Sequence, residues 1–169
     1  MSVIVLASVR TKLLREAATF VEAAAALPGV VRIALIGSVI TDRPDPKDID
    51  FLVGITDDED LVPLAAAARR LQGRAQSFGA GADVFLADPD GRYLGRTCPW
   101  RECWPGRRAS CDARHCGRRP HLHDDLDTVT LQAALVAEPP LELHPVVRRR
   151  VLLPADVEAF AAQFEQGLR

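Results

Sequence analysis

No run of apolar residues in this chain approaches the roughly 20 needed to cross a bilayer as a helix, so a membrane span is not expected. The first residues are apolar but have no basic leader and are soon interrupted by Arg10 and Lys12, which argues against a secretory signal. There is no internal repeat and no low-complexity tail, which excludes a solenoid or a linker-like chain. Lysine is almost missing, with two residues against 19 arginines. With so lopsided a ratio, the use of arginine carries no functional meaning by itself. These absences point to a cytoplasmic chain without membrane contact. In that compartment thiols stay reduced, and the four cysteines are more readily metal ligands than disulfides.

What is present is globular. The chain has 169 residues, 48% of them hydrophobic and 26% charged, enough to bury one core and make one domain. The net charge of −2 hides a split. Residues 92–119 hold eight arginines against Glu102 and Asp112, a local balance of +6, which leaves −8 for the remainder. Such an asymmetry suggests an anion-facing module on an acidic body.

Residues 9–27 read as an amphipathic helix, with Leu13, Ala17, Phe20, Val21 and Ala24 at helical spacing and Pro28-Gly29 as its stop. Residues 30–36 form a β-branched run between Gly29 and Gly37 and read as a strand, as do residues 48–55. Pro44 and Pro46 force a loop between them. Residues 57–71 predict a second helix, capped by Asp57 or Asp58, with Arg69 and Arg70 near its end. A third strand is expected at residues 83–86, before a turn at Asp88-Pro89-Asp90-Gly91. Residues 92–123 show no usable periodicity and hold all four cysteines and three of the four histidines. Residues 127–136 are compatible with strand or helix. Pro139-Pro140 is a break, and Pro154 opens a last helix to about residue 167, with Val157, Phe160, Ala161 and Phe164 on one face. The expected class is α/β: a mixed sheet flanked by helices, with a core at 1–91, a Cys-rich insert at 92–123, and a part at 124–169 that completes the domain.

The chemistry concentrates at two carboxylates. Side chains alternate along a strand, so Asp48 and Asp50 project from one face while Ile49 and Phe51 take the other. Paired carboxylates repel unless a cation joins them, and hard oxygen ligands suit Mg²⁺ or Mn²⁺. Gly37-Ser38 directly follows a strand. Glycine lets the backbone approach an anion, the following amides can cradle phosphate oxygens, and Ser38 adds a hydroxyl. If the strand led by Asp83 lies beside Asp48–Val53, Asp83 joins the pair as a third carboxylate, able to act as base toward an incoming hydroxyl. Taken singly, each motif also has a bland explanation, a solvated loop or a turn.

In that order and spacing, Gly37-Ser38, Asp48-Ile49-Asp50-Phe51-Leu52-Val53 and Asp83-Val84-Phe85 resemble the signature of the polymerase β-like nucleotidyltransferase superfamily, closest to its minimal prokaryotic type. The resemblance covers roughly residues 9–88. It implies a mixed sheet flanked by helices, two Mg²⁺ ions, and transfer of a nucleoside monophosphate from an NTP to a hydroxyl. On that resemblance Gly37 and Ser38 hold the triphosphate, Asp48 and Asp50 bind both metals, and Asp83 helps activate the acceptor. Lys47 stands where relatives commonly carry serine; it either holds a phosphate or is merely exposed. The acceptor is open: a protein tyrosine or serine, an RNA end, or a small hydroxylated compound such as an aminoglycoside. The rival expectation is a non-catalytic protein of the same fold, binding nucleotide or RNA or pairing with a partner protein in antitoxin fashion.

Cys98, Cys103, Cys111 and Cys116 form a symmetric set able to close a tetrahedral Zn²⁺ site, with His115, His121 or His123 as possible substitutes for one thiol. Free or redox-active thiols, or disulfides, are the alternatives. Trp100 and Trp104 among the arginines suggest a surface for phosphates and stacked bases, or equally a module packed against the body. His121-x-His123-Asp124-Asp125 is expected as a surface turn rather than a metal cluster.

Overall fold

The computed structural model describes residues 6–103, 119–124, 126–150 and 152–165. Helix α1 (Val9–Ala25) begins where Ser8 accepts a hydrogen bond from the Thr11 backbone N–H, which satisfies one of the free amides of the first turn. Its face of Leu13, Leu14, Ala17, Phe20, Val21 and Ala24 is buried. Strand β1 (Val30–Ile36) follows, then a single 3₁₀ turn over Ser38–Ile40, then β2 (Asp48–Ile55). β1 and β2 pair antiparallel, with Ile36 opposite Asp50.

Helix α2 (Leu61–Gln76) starts later and runs further than the sequence pattern predicts. Its cap is Asp60, whose side chain accepts from the Val62 N–H, and not Asp57 or Asp58. The residues ahead of it are used otherwise. Glu59 turns back to accept the Gly29 N–H at 2.8 Å, and its own N–H donates to the Thr56 carbonyl. At the far end the apolar face simply continues to Ala75, and Arg74 sits in the last turn.

As a crossover, α2 makes β3 (Gly81–Ala87) parallel to β2. Beyond the turn at Asp88, β4 (Tyr93–Thr97) pairs antiparallel with β3, and β5 (Leu122–His123) pairs with β4. Both ends of the segment without periodicity are therefore strands of the main sheet. After a turn at residues 126–128, the short helix α3 (Ala133–Ala137) precedes the hairpin β6 (Leu141–His144) and β7 (Val146–Arg148), and α4 (Ala155–Glu165) closes the chain's described part. Among the described residues, seven strands run in the order β5-β4-β3-β2-β1-β6-β7, a mixed sheet.

The two faces are covered differently. α1, α2 and α4 bury one face through Phe20, Leu64, Leu71 and Phe160 against Ile33, Leu35, Phe51, Val53 and Leu86. The opposite face carries a smaller cluster of Ala34, Ile36, Leu52, Phe85 and Ala87, roofed by Val136, Val129, Leu131 and Leu135. Glu142 pins that roof: it is buried, ion-paired to Arg32 at 3.0 Å and Arg149 at 2.6 Å, and Arg32 also donates to the Val136 carbonyl. No helix among the described residues is long and apolar enough to cross a membrane.

Candidate functional site

Alternation along β2 puts Asp48, Asp50 and Leu52 on the thinly roofed face, while Ile49, Phe51 and Val53 enter the main core. On β3 the same parity sends Asp83 and Phe85 to that face. The parallel register sets Asp50 beside Asp83 and Asp48 beside Gly81. The three carboxylates expected from the sequence are thus brought to one end of one face, on two adjacent strands. Asp83 is the third residue of its strand and not its first.

Glycines make the room. A Cβ on Gly81 would lie 2.4 Å from Asp48 Oδ1, and one on Gly37 would lie 2.9 Å from Asp50 Oδ2. Gly37 also has φ of +81°, a conformation that L side chains resist. It ends β1 against the Asp50 carboxylate, and the 3₁₀ turn starts at Ser38. Thr41 closes that turn, its hydroxyl and its N–H both donating to the Ser38 carbonyl at 2.6 and 3.1 Å. Arg10 of α1 holds the following loop by donating to the carbonyls of Thr41 and Arg43, each at 3.0 Å, and is itself anchored to Asp156 of α4 at 2.8 Å. Lys47 is exposed; its carbonyl accepts the Gly81 N–H at 2.8 Å, which fastens the start of β2 to β3.

The electrostatics follow from this crowding. Burial first, then the charges of Asp83 and Asp48, push the Asp50 carboxyl up from 3.8 to about 7, although a hydrogen bond from the Asp83 backbone opposes the shift. Asp83 has a partner that sequence reasoning missed. Arg96 of β4, on the same face, donates to Asp83 Oδ1 at 3.3 Å. Among the described residues no three His, Cys, Asp or Glu side chains close around a common point. The aspartates line a face and do not form a preformed cage, an arrangement that Mg²⁺ tolerates, since it takes most ligands from water and substrate phosphates.

The histidine segment departs from expectation. His121, His123 and Asp124 are all buried, with 6%, 9% and 7% of their surface exposed, so the stretch is not a surface turn. β5 runs through it, and His123 pairs with Arg96 on β4. Asp125 lies outside the described residues. Of the four cysteines, Cys98 is buried and Cys103 half-buried. They meet the same residue: the Cys98 N–H donates to the His121 carbonyl at 2.8 Å, and the His121 N–H donates to Cys103 Sγ at 3.2 Å. His121 itself is held at φ of +68°. Cys111, Cys116, His115 and Trp104 lie outside the described residues.

No protein-family model, curated protein or solved structure matches this chain.

Proposed function

We propose that this chain is a nucleotidyltransferase with the polymerase β-like fold, moving a nucleoside monophosphate from an NTP to a hydroxyl acceptor. The observation that carries the reading is the row Asp48, Asp50, Asp83 on one face, with the backbone of Gly37 set against the Asp50 carboxylate. The donor set fits a hard divalent cation. It is all oxygen, and the Asp50 carboxyl, raised to about 7 by burial first and then by the charges of Asp83 and Asp48, gains its charged form when a cation is shared among them. Asp48, Asp50 and Asp83 would hold two Mg²⁺ ions, which when bound would stabilise charge on the entering and leaving oxygens. Gly37 and Ser38 offer backbone and hydroxyl donors to the triphosphate, and Lys47 adds a positive charge one residue ahead of Asp48. The acceptor oxygen attacks the α-phosphorus, a new P–O bond forms as the α–β bridging bond breaks, and pyrophosphate leaves. Asp83 takes the acceptor's proton. The cytoplasm is the proposed location.

Thermal shift with each NTP in the presence of Mg²⁺ tests this directly. The wild type is expected to respond and the Asp48→Ala/Asp50→Ala variant is not. Labelled nucleotide transferred in a lysate would then identify the acceptor as protein, RNA or small compound. A wild type that melts identically with and without every NTP would sink the proposal.

One observation favours the rival. Arg96 ion-pairs with Asp83, the carboxylate that would serve the acceptor, so the same face can act as a non-catalytic nucleotide- or partner-binding surface. Nucleotide binding without transfer to any acceptor would decide for that reading.

We propose further that Cys98 and Cys103, with Cys111 and Cys116 or a histidine, hold a structural Zn²⁺. The amide donated by His121 to Cys103 Sγ is the kind of contact that stabilises a metal-bound thiolate. Metal analysis should find about one zinc per chain, lost in a Cys98→Ser/Cys103→Ser variant.

A further inference from the structure

Beside Asp83 the sheet opens. The ladder between β3 and β4 runs Ala87↔Tyr93, Leu86↔Gly95 and Phe85↔Arg96, and goes no further toward Asp83. β4 meanwhile stays paired with β5 through Thr97↔Leu122. The two strands therefore part at the level of the third carboxylate and leave a cavity of about 90 Å³, floored by the middle of α2. Its lining includes Arg69, Gln72, Asp83, Arg96, Thr97 and His123.

That lining is rich in donors. Among the described residues it draws on two arginines, a glutamine, a threonine and a histidine, against one carboxylate residue, Asp83, whose charge Arg96 already meets. Arg69 is braced by the carbonyls of Trp100 at 3.1 Å and Cys98 at 3.5 Å, so its guanidinium stands in a fixed place at the wall. The volume decides between ligands. A drug-sized or nucleotide-sized molecule needs a pocket of at least about 300 Å³, whereas this one admits a single phosphate or carboxylate group.

We propose that this slot is an oxyanion subsite, and that it takes the phosphate or carboxylate of a small acceptor whose hydroxyl then lies at Asp83. Calling the occupant an acceptor rests on the transferase reading; binding of the anion does not. Arginine presents a planar fork of donors matched to either group. The acceptor class narrows accordingly, to a hydroxylated compound that carries its own negative charge rather than a cationic one such as an aminoglycoside.

The test titrates the full chain with inorganic phosphate, and separately with acetate, in EDTA without nucleotide, by calorimetry. Phosphate or acetate should bind in the millimolar range, and affinity should fall about ten-fold or more in Gln72→Glu and in Arg69→Met. Gln72→Glu leaves the carbonyl bonds of Arg69 untouched, so it serves even where Arg69→Met fails to fold. The Asp48→Asn/Asp50→Asn variant should bind the anion as well as the wild type or better. Tighter phosphate binding assigns a phosphorylated acceptor, and tighter acetate binding a carboxylic one. Equal affinity in wild type and Gln72→Glu overturns the subsite. If Gln72→Glu weakens the anion while Mg²⁺-NTP never shifts the melting temperature, the subsite stands and the transferase reading falls.

Discussion

Asp50 is the residue on which the electrostatics of the face turn. In cation-free buffer its carboxyl is raised from 3.8 to about 7 by burial and by Asp83 and Asp48. Between those two values the folded chain binds a proton that the unfolded chain has lost, so stability must fall as pH rises through that window. Asp50→Asn removes the dependence. At about pH 8 the variant should be more stable than the wild type by roughly 1–3 kcal/mol, a discount from the full linkage because Asp50 keeps some contact with water. At about pH 4 the two should converge. Cation-free melts across the range check this, and a wild-type profile that stays flat would refute it.

Gly37→Ala is the second residue-scale case. A positive φ and a Cβ 2.9 Å from Asp50 Oδ2 should cost about 1–2 kcal/mol and weaken Mg²⁺-NTP binding. Gly73→Ala provides the contrast, since its Cβ meets nothing within 4 Å on the exposed side of α2, and it should stabilise by about 0.5–1 kcal/mol. The shared face of Asp48 and Asp50 was legible in the sequence because a period of two needs no tertiary information. Arg96 was not, because Tyr93-Leu94-Gly95-Arg96-Thr97 lacks the alternation that marks a half-buried strand, and its ion pair with Asp83 exists only once β3 and β4 are adjacent.

At the scale of elements, the site depends on a loop that neither strand controls. Residues 41–46 carry Pro44 and Pro46 and no regular ladder, so their position comes from Arg10 on α1, held in turn by Asp156 on α4. Arg10→Met keeps the aliphatic stem but removes three hydrogen bonds, two of them partly sheltered from water. It should cost about 1–3 kcal/mol. Hydrogen exchange should quicken in the loop ahead of Asp48 while the amides of β3 stay protected, because β3 is held by β2 and β4. Uniform quickening across the sheet would show that Arg10 serves global stability alone. Nothing in the sequence singled out Arg10, since an arginine in the first turn of a helix is unremarkable until its partners are known. The same applies to α2. Three acidic residues precede Asp60, and only the bond from Gly29 to Glu59 shows which of them is taken and why the helix starts where it does. The buried His121 and His123 looked like surface residues because their shelter comes from β4 and not from their own neighbours.

At the scale of the whole molecule, the strand order leaves one face thick with helices and the other roofed by a short segment, and all three site aspartates lie on the thin side. Repulsion among them opposes folding, so a cation that binds only the folded chain should raise its stability through mass action. At about 100 times its dissociation constant such an ion contributes about 2.7 kcal/mol. For a domain of this length each kcal/mol moves the melting temperature by about 2–4 °C, so saturating Mg²⁺ or Mn²⁺ should raise it by roughly 5–10 °C. The Asp48→Asn/Asp50→Asn variant should melt above the wild type in EDTA and show no rise with the metal. That crossover separates a metal seat from a merely acidic surface, because general screening by a divalent salt would lift both proteins alike. If Ca²⁺, Mg²⁺ and NaCl at matched ionic strength give the same rise in wild type and variant, the aspartates do not share a cation.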